Sequence, residues 1–348
     1  MNLEKIIRDL KEYSGPPLNI MEVCGTHTAS IFKNGIKSLL SSGIRLISGP
    51  GCPVCITPAA YIDRAVELAL KPNHTLLTFG DMMKVPGGNS SLSDAKAQGG
   101  KVEIIYSPQE ALKKAKQNPA TTYVLACVGF ETTTPSYAIL VEQIHKQEIT
   151  NIKLLTALRR VLPALDYICA GENEISAFLA PGHVSAVLGS KAYENLARKY
   201  NKPFAVAGFE GEHILLAIYD LVKQVEQNKN EVHNLYPSIV REKGNPKALA
   251  YIDNYFEPGP AYWRGIGSLE ESGLYLKKEF REYDAGSFAL ADPTQEKPNP
   301  CRCGEVIQGR INPDECPLFT KTCTPSKPLG PCMVSPEGTC GIWYRFHS

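Results

Sequence analysis

The sequence contains no apolar run long enough to span a bilayer, and its N-terminal stretch, residues 1–15, is charged and amphipathic rather than an uninterrupted apolar signal segment. A soluble, cytoplasmic chain is the expectation. It also lacks an excess of charge of either sign: 37 Lys and Arg against 36 Asp and Glu leave a formal net charge of +1. That balance carries no electrostatic footprint for nucleic acid or for an anionic membrane, so neither is expected as a partner. Paired histidines are missing too. His74, His145, His213 and His233 stand singly, and no role is read for them. What the chain does have is cysteine, eleven in 348 residues. In a reducing compartment so dense a set reads as metal or redox chemistry before structural disulfides.

The cysteines are unevenly placed. Cys24, Cys52 and Cys55 lie early, Cys127 and Cys169 stand singly within apolar runs as small buried hydrophobes, and six fall between Cys301 and Cys340. Two separate cysteine sites are implied. Between residues 18 and 227, short β-branched or apolar runs alternate with amphipathic stretches, the pattern of an α/β fold with mainly parallel sheets. Candidate strands are 18–23, 44–48, 75–79, 102–106, 123–128, 152–157, 184–188 and 203–207. A helix is predicted over 58–70, with Thr57 as cap and Pro58 in the first turn. Eight strands are many for one small sheet, and the polar, lysine-rich stretch 113–122 reads as a divide. Two α/β lobes follow, 1–118 and 119–228. Beyond them, residues 229–348 are rich in Gly and Pro, with turn signals such as Glu257-Pro-Gly-Pro, and read as a smaller irregular unit held by a metal cluster.

Cys24 ends its strand in Cys24-Gly-Thr-His-Thr, and Cys52 and Cys55 follow theirs in Gly49-Pro-Gly-Cys-Pro-Val-Cys. Ligands collect outside the carboxyl ends of parallel strands, so three thiols from two successive turns are expected to face one cavity. A Cys-x-x-Cys before a helix gains from backbone N–H groups and the helix dipole, which stabilise thiolate. Alone, that motif reads as a thioredoxin-type redox pair or half of a zinc site. With Cys24 added, the three thiols suit a soft metal. His27, three residues after Cys24, is placed to orient a ligand, donate a proton or complete a coordination sphere. Val-Gly-Phe-Glu at 128–131 and Ala-Gly-Phe-Glu at 207–210 each put a glutamate after a strand; a carboxylate complementing a helix dipole is the plain structural reading of Glu131 and Glu210, and Asp81 reads as a cap. Glu131, Thr132 and Thr133 after a strand, and His183 in Pro181-Gly-His-Val just before another, are also candidates to supply hydrogen bonds or protons into the same cleft, beside the plain reading of His183 as a turn residue.

The C-terminal six, Cys301, Cys303, Cys316, Cys323, Cys332 and Cys340, have no interleaved histidine and do not form two close pairs, which favours an iron–sulfur cluster over zinc.

Together with Thr78-Phe-Gly-Asp-Met-Met, Gly129-Phe-Glu-Thr-Thr, Pro181-Gly-His-Val-Ser and the terminal Cys332-Met-Val-Ser, these motifs make the chain resemble the hydrogenase formation family HypD over essentially its whole length. The resemblance implies two Rossmann-like lobes, a C-terminal domain with a 4Fe-4S cluster, and a scaffold that builds the Fe(CN)2CO unit of nickel–iron hydrogenases. It implies a HypC-type chaperone and a HypE-type cyanide donor, with HypF upstream, as partners. Cys24, Cys52 and Cys55 would then hold or process the iron. By a further likeness to ferredoxin–thioredoxin reductase, Cys301, Cys316, Cys323 and Cys340 would ligate the cluster and Cys303 with Cys332 would form a disulfide; the competing set is Cys316, Cys323, Cys332 and Cys340. A self-contained thiol–disulfide oxidoreductase is the other reading, and it has no need of Cys24.

Overall fold

Strand β1 (Leu18–Glu22) is buried along its whole length, as befits the interior of a parallel sheet covered on both faces. The chain is described by a computed structural model over residues 2–171, 174–291 and 300–346. Its further strands are β2 (Ile44–Ser48), β3 (His74–Thr78), β4 (Val102–Ile104), β5 (Thr122–Gly129), β6 (Ile152–Arg159), β7 (Ile175–Ala180), β8 (Phe204–Val206), β9 (Val232–Asn234), β10 (Phe256–Trp263) and β11 (Gly267–Leu276). They form two sheets. One runs β2-β1-β7-β8-β9, parallel throughout; the other runs β10-β11-β6-β5-β3-β4, in which β3 to β6 are parallel and the β10/β11 hairpin is added antiparallel beside β6. The α/β class with mainly parallel sheets is as the sequence predicts.

The strands do not fall into consecutive lobes. Residue 118 lies between β4 and β5, which belong to the same sheet, while β1, with β2 at its outer edge, pairs with β7 from beyond residue 174. Apolar periodicity marks a strand but not its partner, so interleaving of this kind leaves no trace in composition. The span 184–188 is likewise not a strand but part of the helix Gly182–Leu188; β7 precedes it. Valines fit either period there, but Pro181 ends the strand, and the Ser185 hydroxyl donates back to the Pro181 carbonyl (2.7 Å) across one helical turn.

The span 229–348 is not uniformly irregular either. β9 completes the first sheet, and β10 and β11 extend the second. Glu257-Pro-Gly-Pro lies inside β10, at a sheet edge where proline forfeits no ladder bond and the register shifts between Gly259 and Ala261. The region of short helices and turns is 300–346.

Alternation along the strands builds the core. In β1, Leu18 and Ile20 face the helices of the first sheet, whereas Met21, with Val23 beyond it, faces a central cluster shared with Leu76, Val124 and Leu155 of the second sheet. The helix Ala59–Leu70 contributes Tyr61 to that cluster, and the Tyr61 hydroxyl donates to the Leu155 carbonyl (2.8 Å). The C-terminal helix Thr339–Phe346 packs on the helix Gly25–Lys33, with Trp343 edge-on to Phe32 at 5.2 Å. No helix among the described residues is long and apolar enough to cross a membrane.

Candidate functional site: a cleft between two sheets

The carboxyl ends of β1, β2 and β7 in one sheet, and of β3, β5 and β6 in the other, meet around a cavity of about 670 Å³. Its wall includes Cys24, Pro53, Val54, Asp81, Thr132, Thr133 and His183, and the C-terminal unit adds Glu337.

Cys24 closes β1 and stands at the N-cap of the helix Gly25–Lys33. Burial pushes its thiol up to about 11, against the pull of the His27 and Thr26 backbone N–H groups. Beneath it lies Glu22, which sequence reasoning passed over. This carboxylate, 3% exposed, accepts the Cys24 N–H (3.2 Å) and the Thr28 hydroxyl, and burial raises it to about 7. A carboxylate closing a mostly apolar strand, two residues before Cys24, was the available signal. Gly51 lets the second cysteine turn lie against the first: a Cβ there would run into the Cys24 backbone nitrogen.

Cys52 and Cys55 are joined as a disulfide, their Cα atoms 5.3 Å apart, and both are buried. The picture of three thiols facing one cavity therefore changes. Cys24 lies on the wall, whereas the disulfide sits behind Pro53 and Val54, which do line it. The pair also stands in a turn of its own rather than directly at a helix start. The helix begins at Ala59 with Pro58 as its N-cap, and the Thr57 hydroxyl, predicted to cap, donates instead to the Pro53 carbonyl (2.9 Å). The Cys55 N–H points at the Cys52 sulfur (3.3 Å).

His27 is fully buried and off the wall. Its Nε2–H donates to the Gly208 carbonyl (3.1 Å), Nδ1 has no hydrogen-bond partner, and burial lowers the pKa to about 4, so the ring is neutral. It packs 4.9 Å from Phe209, whose ring also stacks on His183 at 4.2 Å. Phe209 thus links a buried imidazole to one on the wall, and its place in Ala207-Gly-Phe-Glu was the signal.

Glu131 lies behind Thr132 and Thr133. One oxygen accepts the Val161 N–H (2.9 Å), the other has no partner, and burial raises the carboxyl to about 7. It complements the start of the helix Val161–Ala170 rather than the helix that follows it in sequence. Asp81, read as a cap, is a wall residue whose carboxyl is raised by burial. Glu337 is raised too, first by the desolvating wall and then by Asp81.

The curated relatives and family models decide which proteins this cleft belongs with. The family model described as HypD, "Hydrogenase formation hypA family", matches residues 1–347. The chain is 43% identical to the hydrogenase maturation factor HypD of Escherichia coli K12, over 95% of this chain and 89% of that one. Against the HypD factors of Azotobacter vinelandii and Rhodobacter capsulatus it is 41% and 39% identical, over 94% and 95% of its length and 89% of theirs. The chain belongs to the HypD family of hydrogenase maturation factors. Five of the motifs that carry the HypD resemblance, those beginning at Cys24, Gly49, Thr78, Gly129 and Pro181, each place residues on the one cavity wall.

The sixth HypD motif lies in the thiol-rich C-terminal unit. There Cys301 is held below its ordinary range by its neighbour Cys303, whose thiol is pushed well up, and Cys332 with Cys340 form a second such pair. Cys323 interacts with Cys301 and Cys316. No disulfide joins Cys303 to Cys332. Among the described residues, no three His, Cys, Asp or Glu side chains already stand in metal-holding geometry.

Proposed function

We propose that this HypD-family chain is the scaffold on which the Fe(CN)2CO unit of nickel–iron hydrogenases is assembled, in the cytoplasm, with a HypC-type chaperone and a HypE-type cyanide donor supplied through HypF. The observation that carries the reading is Cys24 on the wall of the interlobe cavity, with the Cys52–Cys55 disulfide one turn behind it. Soft thiolate donors suit low-valent iron bearing strong-field ligands. Cys24 holds the iron cargo. Reduction of the disulfide takes two electrons and two protons and yields two thiols behind the wall that carries Cys24. Release of one cyanide from a thiocyanate carrier formally consumes two electrons as well. Thr132, Thr133 and His183 stand where their polar groups can meet cyanide nitrogens across the cavity, while His27 and Glu131 hold the turns behind them.

The C-terminal thiols fit a 4Fe-4S cluster by their chemistry: all donors are sulfur, and no imidazole enters the set. Four of the six hold it. By the likeness to ferredoxin–thioredoxin reductase these would be Cys301, Cys316, Cys323 and Cys340, with Cys316, Cys323, Cys332 and Cys340 as the competing set. When bound, such a cluster supplies single electrons to thiol chemistry nearby.

A self-contained oxidoreductase would also use Cys52 and Cys55, but the thiol of Cys24 would be idle in it. The variant Cys24→Ala separates the two. The scaffold requires that hydrogenase maturation be lost in cells producing Cys24→Ala while Cys52 and Cys55 still cycle between dithiol and disulfide by alkylation assay. Maturation at the wild-type level would reject it.

A further inference from the structure

Among the described residues, Arg264 has no ionic partner. It is 8% exposed, its Nη1 donates to the Pro86 carbonyl (2.8 Å), and it joins no carboxylate among the described residues. Arginines that do pair, such as Arg64 with Glu67, Arg281 with Glu257 and Arg302 with Glu305, are at the surface. A buried cation without an anion is costly, and such a charge is normally paired. The other buried arginine, Arg159, donates to the Leu158 and Tyr262 carbonyls and faces the tyrosines Tyr61 and Tyr275.

The surroundings of Arg264 supply a candidate anion. Arg264 precedes Gly265, whose main chain packs directly on that of Gly304, the residue after Cys303. Main-chain packing fixes that approach: a Cβ on Gly265 would land on the Cα of Gly304, and the Gln308 side chain donates to the Gly265 carbonyl (2.6 Å). In the other direction, the Arg264 N–H donates to the Ile56 carbonyl (2.9 Å), directly after Cys55. One residue therefore touches the turn that carries the redox disulfide and stands beside the main chain that carries Cys303.

We infer that Arg264 is a positioning residue, the buried counter-charge of the C-terminal cluster site, and that it ties that site to the Cys52–Cys55 turn. The inference rests on the cluster reading above. A thiolate-ligated 4Fe-4S cluster carries net negative charge in both oxidation states, and more of it once it has accepted an electron. A fixed cation beside it stabilises the reduced form more than the oxidised one, so removing the cation shifts the one-electron equilibrium toward the oxidised cluster.

The test is a mediator titration of the anaerobically reconstituted full chain, followed by electron paramagnetic resonance. Arg264→Gln removes the charge and keeps an amide able to donate to Pro86; Arg264→Lys keeps the charge. The expected result is a reduction equilibrium at least tenfold less favourable in Arg264→Gln, a midpoint more negative by about 59 mV or more, with Arg264→Lys close to wild type. The iron-free Arg264→Gln protein should melt no lower than iron-free wild type, because the cation it loses is uncompensated there. Failure of Arg264→Gln alone to retain its cluster also supports the inference; failure of both variants counts against a charge role. If the wild-type cluster forms and the Arg264→Gln midpoint is unchanged, this inference falls and the cluster reading stands. If wild-type protein supplied with iron and sulfide forms no cluster, that reading falls and the inference with it.

Discussion

Around Cys24 the protein buries two acids whose ionisation is disfavoured and an imidazole held neutral. Glu22 and Glu131 are both raised to about 7, and His27 is lowered to about 4. Each therefore links folding to pH. For Glu131 the folded pKa lies above the ordinary 4.5, so its contribution to stability is full below 4.5 and is lost as pH rises toward 7. The loss is on the order of 3 kcal/mol if the carboxyl is undisturbed in the unfolded chain. Glu131→Gln keeps an acceptor for the Val161 N–H and cannot ionise. Denaturant titrations at pH 4 and pH 8 should find the variant gaining on wild type at the higher pH by a few kcal/mol; a constant difference would mean that Glu131 does not titrate in this window. These groups were only half legible in the sequence. Spacing placed Cys24, Thr132 and Thr133 after strands and His183 before one, and all four line the cavity. Spacing gave no means of seeing that His27 turns toward Gly208 or that Glu131 serves a helix thirty residues away, because both depend on which strands become neighbours.

Among the elements, the two turns after β1 and β2 and the C-terminal unit are held together by close backbone approach. Gly25 is the sharpest case. A Cβ there would collide with the backbone oxygen of Glu337, in the segment that closes one side of the cavity. Within the helix Gly25–Lys33, alanine is the better helix former by up to about 1 kcal/mol, so the helix alone predicts that Gly25→Ala stabilises. The packing predicts the opposite sign, a loss of about 1–3 kcal/mol as the C-terminal segment is pushed away. Thermal unfolding with limited proteolysis distinguishes them: a lower Tm and faster cleavage within 300–346 are expected, and a raised Tm would mean that the contact is not needed. Glycine frequency in these motifs was plain from the sequence. The partner each glycine admits, more than three hundred residues away for Gly25, was not.

At the scale of the whole molecule, the chain crosses between the sheets after β2, after β6 and after β9. Fold class and the positions of β1 to β6 and β8 were legible because burial on both faces leaves continuous apolar runs. The division into lobes was not, because hydrophobic pattern records burial and not pairing. A fragment of residues 1–118 would contain β1 and β2 without β7 to β9, and β3 and β4 without β5 and β6. It should show no cooperative unfolding transition and no dispersed amide spectrum; a folded fragment would contradict the interleaved topology. The same topology explains why the cleft exists. Two parallel sheets sharing one central core bring their carboxyl ends to a common rim, and the C-terminal unit closes part of it with Glu337. The account stands on Cys24 at that rim as the residue that holds the iron. The most direct measurement is anaerobic purification of the chain with a HypC-type partner, iron quantitation, and infrared spectroscopy of the complex. Wild type should carry iron with bands of bound cyanide and carbon monoxide, and Cys24→Ala should lose both. Undiminished bands in Cys24→Ala would contradict it.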